Sequence, residues 1–239
     1  MLLKVVRRVV PKPIRSGLLR PLWLALTNPC GRSAFLRQLH RAEATPRILD
    51  VGCGNDSPLI VKSELPGCNY TGLDIDDYNQ SSAHMADRYV RTSPEAFAAT
   101  IRELRPKFDG VICSHNLEHC DDRTATLDAM ISVLRPGAWL YLAFPCADSV
   151  SFPSRAGTLN YYDDSSHKGT PPEFDLVVST LRRAGLRVPV AVRRNRPAIR
   201  FVRGLLQERS SRRSGKLKGD TWALYGFESI IWAQRPDAM

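Results

Sequence analysis

The sequence predicts an α/β fold built around a mostly parallel sheet. Short apolar runs alternate along most of the chain with segments of helical periodicity. Strands separated by helices form parallel sheets, because each crossover helix returns the chain to the same end of the sheet. At 239 residues, with 43% apolar residues, the chain is long enough for one well-buried domain with appendages.

Each predicted element is bounded by a turn residue, a helix cap or a change of periodicity. Three helices precede the first strand, at 2–10, 16–26 and 31–41. Strands at 47–51, 69–74, 88–91, 109–114 and 138–144 then alternate with helices at 58–65, near 80–86, at 94–104 and at 123–134. A helix at 172–184, a strand at 186–193, a helix near 197–208 and a strand at 224–233 follow. The polar residues 210–219 are predicted to form a mobile loop.

The ends of the first two strands predict a ligand site. The first strand carries Asp50 and runs into a turn with Gly52 and Gly54, where the backbone can approach a ligand because no Cβ intervenes. The second strand ends in Asp74, and a carboxylate about 20 residues after such a turn is placed to accept hydrogen bonds from a ribose diol. Together these features indicate a nucleoside-containing cofactor.

Four motifs occur in a characteristic order over roughly residues 46 to 146. They are DVGCGN at 50–55, GLDI at 72–75, FDGVICSHNLEH at 108–119 and LRPGAWLYLAFP at 134–145. In this combination the chain resembles the class I S-adenosylmethionine-dependent methyltransferases, and within them the small-molecule branch called methyltransferase type 11. The resemblance implies a doubly wound, Rossmann-like, seven-stranded sheet in the order 3-2-1-4-5-7-6. Its last strand is antiparallel and forms a hairpin with the sixth.

The resemblance also implies that the cofactor is S-adenosyl-L-methionine. Asp74 would bind the ribose hydroxyls, Ile75 would contact adenine, and Gly52 and Gly54 would lie under the methionine moiety. The cofactor-binding residues expected on this basis are Asp50, Gly52, Cys53, Gly54, Asn55, Asp74, Ile75, Ser114, His115 and Asn116. The family commonly has a third glycine in its first motif, where this chain has Asp56, so the contact with methionine is expected to differ in detail.

Methyl transfer from a sulfonium is an in-line displacement that depends mainly on alignment, with a base if the acceptor is a hydroxyl. Candidate bases are His115 and His119 after the fourth strand, and His167 in the long loop 146–171. This loop also holds the sequence YYDD at 161–164, and we expect it to form a substrate lid. His119 could instead shape the cofactor loop. His115 and His119 are four residues apart, but they lack the HExxH pattern, and no metal is predicted.

The predicted function is methyl transfer to a small-molecule or carrier-linked acceptor, such as a sugar, a lipid-linked intermediate or a metabolite. Two alternatives remain open. A nucleic-acid methyltransferase would explain the basic flanks, although SHNLEH at 114–119 is not the Asn-Pro-Pro-aromatic signature of amino-group base methylation. A cofactor-binding scaffold without turnover is the other alternative, and the intact acidic and glycine positions favour the enzyme.

The net charge of +10 is concentrated in two flanks. Residues 1–41 hold nine basic residues and no acid, and residues 187–218 hold eleven against the single Glu208. The remainder carries 14 basic and 23 acidic residues, a net charge of −9. The flanks predict an anionic partner, either a charged substrate or an anionic membrane surface. Nucleic acid is disfavoured because Phe201 is the only aromatic residue of the second flank.

The six cysteines form no CxxC pair, which indicates a reducing compartment and buried thiols. No apolar stretch approaches the length of a membrane span. We therefore expect a cytoplasmic protein, with peripheral contact at the inner membrane surface through its basic flanks. The expected organisation is a basic helical extension at 1–45 and a methyltransferase domain at 46–239, which includes the lid loop 146–171 and a basic insert at 193–219.

Overall fold

The structure is a computed structural model, and it describes residues 27–54, 56–77, 85–105 and 107–237. The strands are β1 (Arg47–Val51), β2 (Asn69–Asp74), β3 (Arg88–Arg91), β4 (Phe108–Ser114), β5 (Leu134–Pro145), β6 (Arg187–Val192) and β7 (Glu228–Gln234). The helices are α1 (Arg32–Ala42), α2 (Ser57–Glu64), α3 (Phe97–Glu103), α4 (Arg123–Ser132), α5 (Phe174–Arg183), α6 (Ala198–Ser214) and α7 (Thr221–Tyr225). Short 3-10 helices lie at Leu117–His119, Ala147–Ser151 and Tyr161–Asp163.

All seven strands form one sheet in the order β3-β2-β1-β4-β5-β7-β6, which confirms the predicted order. Strands β1 to β5 pair in parallel, and β7 is antiparallel to both β5 and β6. In the register, Val51 is paired with Leu73 on one side and with Cys113 on the other. The turn after β1, the end of β2 and the loop after β4 therefore meet at the same edge of the sheet.

Both faces of the sheet are covered, so its central strands are buried on both sides, as parallel strands usually are. Along β1, Ile48 packs with the cluster beneath α1 and α2, whereas Leu49 packs with the cluster beneath α3, α4 and α5. Gly110 in β4 allows α1 to approach closely, because a Cβ there would lie 2.5 Å from the Leu39 side chain. Trp232 also fixes α1, since its Nε1 donates to the Cys30 carbonyl at 2.8 Å.

The second half of the chain differs from its prediction at α6. This helix continues to Ser214, so the prediction of a loop is wrong for residues 210–214. The cause is long-range contact: Ser211 is fully buried, accepts from Arg155 Nη1 at 2.9 Å and donates to the Lys216 carbonyl at 2.7 Å. The last strand begins at Glu228, not at 224, because the helix α7 precedes it.

The helices predicted at 2–10 and 16–26, and most of the short helix predicted near 80–86, lie outside the described residues. Within the described ranges, no helix combines the length and the apolar character needed to cross a bilayer.

Candidate active site

The turn after β1 has the backbone of a ligand-binding loop. Gly52 and Gly54 have φ of 69° and 54°, and the N–H of Gly52 donates to the Leu73 carbonyl at 2.8 Å. A Cβ on Gly52 would lie 2.1 Å from Asn116 Cγ, so glycine is required where the loop after β4 packs on the turn. A Cβ on Gly54 would have no neighbour within 4 Å, so this residue presents open backbone.

Asp56 occupies the position where the family commonly has a third glycine. Its φ is 62°, in the left-handed region that glycine adopts readily and that aspartate tolerates better than most residues. It is the residue before the first turn of α2. The substitution therefore keeps the backbone conformation that the glycine would supply.

The carboxylate of Asp74 lies at the tip of β2, facing the turn. Its Oδ2 accepts from the Gly54 N–H at 2.7 Å, and its Oδ1 accepts from the Ile75 N–H at 2.7 Å. The Ile75 side chain is 44% exposed and offers an apolar surface beside this carboxylate. A carboxylate, an apolar side chain and open glycine backbone suit the ribose, adenine and methionine parts of the predicted cofactor, so the residues fit that group.

Asp50 and Cys53 are directed into the protein. The Asp50 carboxylate accepts from Ser57 Oγ at 2.5 Å and from the Tyr70 hydroxyl at 2.9 Å, and burial raises its pKa. Burial likewise raises the pKa of Cys53 to about 12, so this group is a neutral thiol. The Asp50 contacts tie the turn to α2 and β2. Asn55, the remaining predicted residue of this turn, lies outside the described residues.

His115 is held between two carboxylates. Its Nδ1 lies 3.2 Å from Glu118 Oε1 and its Nε2 lies 3.0 Å from Glu228 Oε1, and its φ of 54° is unusual for a residue other than glycine. Burial lowers the pKa of His115, but hydrogen bonds and charge attraction from Glu118 and Glu228 outweigh it and raise the pKa to about 10. At neutral pH the ring is therefore an imidazolium, which has no free site to accept a proton.

His119 and His167 form a separate pair, with ring centroids 4.8 Å apart. His167 Nδ1 donates to the Tyr161 carbonyl at 2.6 Å, because a carbonyl oxygen can only accept. Ser166 donates its hydroxyl to Asp164 at 2.5 Å and so accepts from His119 Nδ1 at 3.0 Å. Both Nδ1 atoms therefore carry hydrogen, and in the neutral rings both Nε2 atoms are proton acceptors.

The predicted lid segment has an internal structure of its own. The Asp163 carboxylate accepts from three backbone N–H groups, those of Arg155, Leu159 and Asn160; burial raises its pKa, and these bonds outweigh burial and lower it. Tyr161 is fully buried and stacks on His167 at 4.4 Å.

Arg123 at the start of α4 connects this segment to the loop after β4. It donates to the carbonyls of Thr170, at 2.7 Å, and of Lys168, and to the Tyr161 hydroxyl at 3.2 Å. His167 is thereby brought beside His119.

Glu118, His119 and His167 could each offer one metal-ligand atom, and these atoms lie within 4.8 Å of one another. The second oxygen of Glu118, Oε2, is buried and has no hydrogen-bond partner among the described residues. A tetrahedral site with bonds of about 2.1 Å places its ligand atoms about 3.4 Å apart, so the cluster would have to contract to hold an ion. We therefore treat the two histidines as acid–base groups.

A cavity of about 340 Å³ adjoins the loop after β4. It lies between the first turn of α1, the ends of β4 and β7, and the α6–α7 region. The lining residues that carry polar or aromatic groups include Arg32, Ser114, Tyr141, Arg200, Trp222 and Glu228. Of these the sequence singled out only Ser114. Tyr141 lies within the 134–145 motif but was not predicted as a site residue, and the others come from distant segments with no motif, so only the folded chain identifies them.

A family model described as a methyltransferase domain matches residues 28–191, and the chain belongs to this family. It is 31% identical over 111 residues to the ubiquinone biosynthesis O-methyltransferase of Nitrosospira multiformis, covering 44% of this chain and 45% of that protein. It is 30% identical over 158 residues to the ubiquinone biosynthesis O-methyltransferase of Xanthomonas axonopodis pv. citri, covering 61% of this chain and 64% of that protein.

Among solved structures, an S-adenosylmethionine-dependent methyltransferase from Mesorhizobium loti is similar in fold. The TM-score is 0.58 at 15% identity, and the match covers 85% of this chain and 97% of that one. The chain spans about half the length of the first curated relatives that it matches. The predicted resemblance to class I methyltransferases is confirmed, and S-adenosylmethionine is the cofactor that this membership assigns.

Proposed function

We propose that the chain transfers the methyl group of S-adenosylmethionine to a hydroxyl of a small-molecule or carrier-linked acceptor bound in the 340 Å³ cavity. The observation that carries this proposal is the position of the cavity. It shares Ser114 with the set of predicted cofactor residues and so adjoins the cofactor edge of the sheet. An oxygen acceptor is supported by the names of the relatives, which are O-methyltransferases.

In this proposal Asp74 binds the ribose hydroxyls, Ile75 contacts adenine, and Gly52 and Gly54 lie under the methionine. Asp50 contributes by holding the turn. The cofactor, when bound, supplies an electrophilic methyl group on a sulfonium. The protein aligns it with the acceptor, and such alignment accounts for much of the rate enhancement in displacement reactions.

We assign proton removal from the acceptor to His167 or His119, whose Nε2 atoms are acceptors in the neutral rings. Neither ring lines the cavity, so the acceptor hydroxyl must extend past the cavity toward one of these rings. Asp164 Oδ2 lies 4.0 Å from His167 Nε2, where its negative charge stabilises the imidazolium formed after proton transfer. The sequence suggested His115 as a candidate base, but in this proposal it has a positioning role. As a cation beside the cavity, it fixes Glu228 and the loop after β4.

The residues that line the cavity also indicate which kind of acceptor would fit it. Trp222 offers an aromatic face, while Arg32 and Arg200 offer guanidinium groups that suit a polar or anionic substituent. A sugar, a lipid-linked intermediate or a metabolite with such a substituent fits this lining. We further propose that the protein works in the cytoplasm, in peripheral contact with an anionic membrane surface through its basic flanks.

The experiment is incubation of the protein with methyl-labelled cofactor and a fractionated cell extract. Label in a small-molecule or lipid fraction, reduced with Asp74→Ala, is the expected result. Label in nucleic acid would establish the nucleic-acid alternative instead. Tight cofactor binding by calorimetry without label in any fraction would point to the scaffold alternative.

A further inference from the structure

The exposed face of α6 is apolar along its first half. Ile199, Val202, Leu205 and Leu206 are spaced for one face of a helix, and their exposed fractions rise from 46% for Ile199 to 78% for Leu206. The opposite face is the packed one, since it carries the buried Gly204. Four large apolar side chains on one helical face in water form a surface that commonly binds a partner or a membrane.

The same face is cationic along its second half. Arg209, Arg212 and Arg213 continue it toward the end of the helix, and all three are exposed. Glu208, the one acid of α6, is bound by Arg155 at 2.6 Å. Within the described residues, Arg209 and Arg213 have no carboxylate within ion-pair distance. Their charge is available to a partner.

A shallow groove of about 410 Å³ joins the two halves. Its lining consists of Leu205, Glu208 and the three arginines. Guanidinium groups bind phosphate through paired hydrogen bonds, and leucines beside them can enter the boundary between headgroups and acyl chains. We infer that this face of α6, residues 199–213, docks on an anionic phospholipid bilayer.

The docking surface lies on the same helix as part of the acceptor cavity. Arg200 lines the cavity, and Gly204 packs against the Asp220 carbonyl at the start of α7, where a Cβ would lie 2.4 Å away. Docking would therefore hold the α6–α7 region beside the lipid surface, where a lipid-linked acceptor is concentrated. This last step rests on the proposed methyl transfer, whereas docking itself deepens the membrane contact proposed above.

The test is co-sedimentation of the full chain with phosphatidylcholine vesicles that contain or lack phosphatidylglycerol, without cofactor or acceptor. We expect binding only to the anionic vesicles. It should weaken as salt is raised, because the screening length falls from about 30 Å at 0.01 M to about 8 Å at 0.15 M. Arg209→Gln with Arg213→Gln should lower the partition coefficient about 30-fold. Leu205→Ser with Leu206→Ser should lower it at least about tenfold.

Matched controls are Leu176→Ser, an exposed leucine on α5, and Arg187→Gln, an exposed arginine on β6; neither should change vesicle binding. Circular dichroism and calorimetry with the cofactor show whether each variant is folded.

Folded surface variants that bind anionic vesicles like the wild type would overturn the inference. The inference would also be overturned if the leucine variant changed the oligomeric state or the stability but not vesicle binding. This face would then be covered by protein. Binding to duplex DNA that needs the arginines but not the leucines would point to nucleic acid. Because no methyl transfer is measured, failure here is distinguishable from failure of the proposed methyl transfer.

Discussion

The two halves of the carboxyl edge are built differently. The proposed cofactor half, around Gly52 and Asp74, is made by residues close in the chain, and backbone groups hold it together: the Gly54 N–H donates to the Asp74 carboxylate at 2.7 Å. The proposed acceptor half joins the side chains of residues as far apart in the chain as Arg32 and Glu228. The first half follows from local motifs, whereas the second exists only once the chain has folded.

The largest effect is expected on the rate of methyl transfer, when a candidate base is removed. His167→Ala should lower turnover by about 10²- to 10⁴-fold if it is the base, because positioned bases contribute that much. His119→Ala is the matched variant, since both rings present Nε2. Turnover of an identified acceptor and cofactor affinity by calorimetry are the measurements. Cofactor affinity should stay unchanged. If neither variant slows the reaction by more than a few-fold, the acceptor needs no dedicated base.

The next effect tests how the acceptor half is held together. Arg155 is buried, and its guanidinium binds both oxygens of Glu208, at 2.7 and 2.6 Å. Removing one partner of a fully buried ion pair commonly costs about 3–5 kcal/mol. Glu208 is only partly buried and still accepts from the Tyr225 hydroxyl at 2.8 Å, so Arg155→Ala should lower the free energy of unfolding in urea by less than this amount. Arg183→Ala, on the exposed side of α5, is the control and should have little effect. Equal losses of unfolding free energy in the two variants would show that the Arg155–Glu208 contact does not stabilise the fold.

A third effect tests the cofactor half. Asp74→Ala should weaken cofactor binding by roughly 10- to 150-fold, because losing a charged hydrogen-bond partner costs about 1.5–3 kcal/mol. The matched control is Asp76→Ala, which removes an exposed carboxylate two residues further on. Titration calorimetry measures both. Unchanged cofactor affinity in the Asp74 variant would show that this carboxylate does not bind the cofactor.

The contrast between the two halves explains which features could be predicted from the sequence and which could not. Periodicity and strand-end motifs located β1, β2 and β4 and the turn at Gly52, because these signals are local. The buried Ser211, the Glu228 carboxylate and the cavity lining depend on contacts between distant segments, and a single sequence carries no signal of them. The second carboxylate partner of His115 could not be predicted for the same reason, since it is 113 residues away in the chain.

A fourth effect concerns the pH dependence of stability in the proposed acceptor half. The pKa of His115 is about 10 in the folded protein and about 6.5 when unfolded. The imidazolium therefore contributes stability that is complete below about pH 6.5 and is lost as the pH rises toward 10. His115→Gln should remove this contribution, so the difference in unfolding free energy between wild type and variant should shrink across that range.

Glu228→Gln gives an independent check, because it keeps the ring but removes one of its two carboxylate partners. Its difference from wild type should also shrink as the pH rises, by less than for His115→Gln, since Glu118 still binds the ring at 3.2 Å. Ring-proton shifts in NMR would report the titration of His115 directly. A midpoint near 6.5 in the wild type would show that the carboxylates do not hold the proton, and His115 would then return as a candidate base.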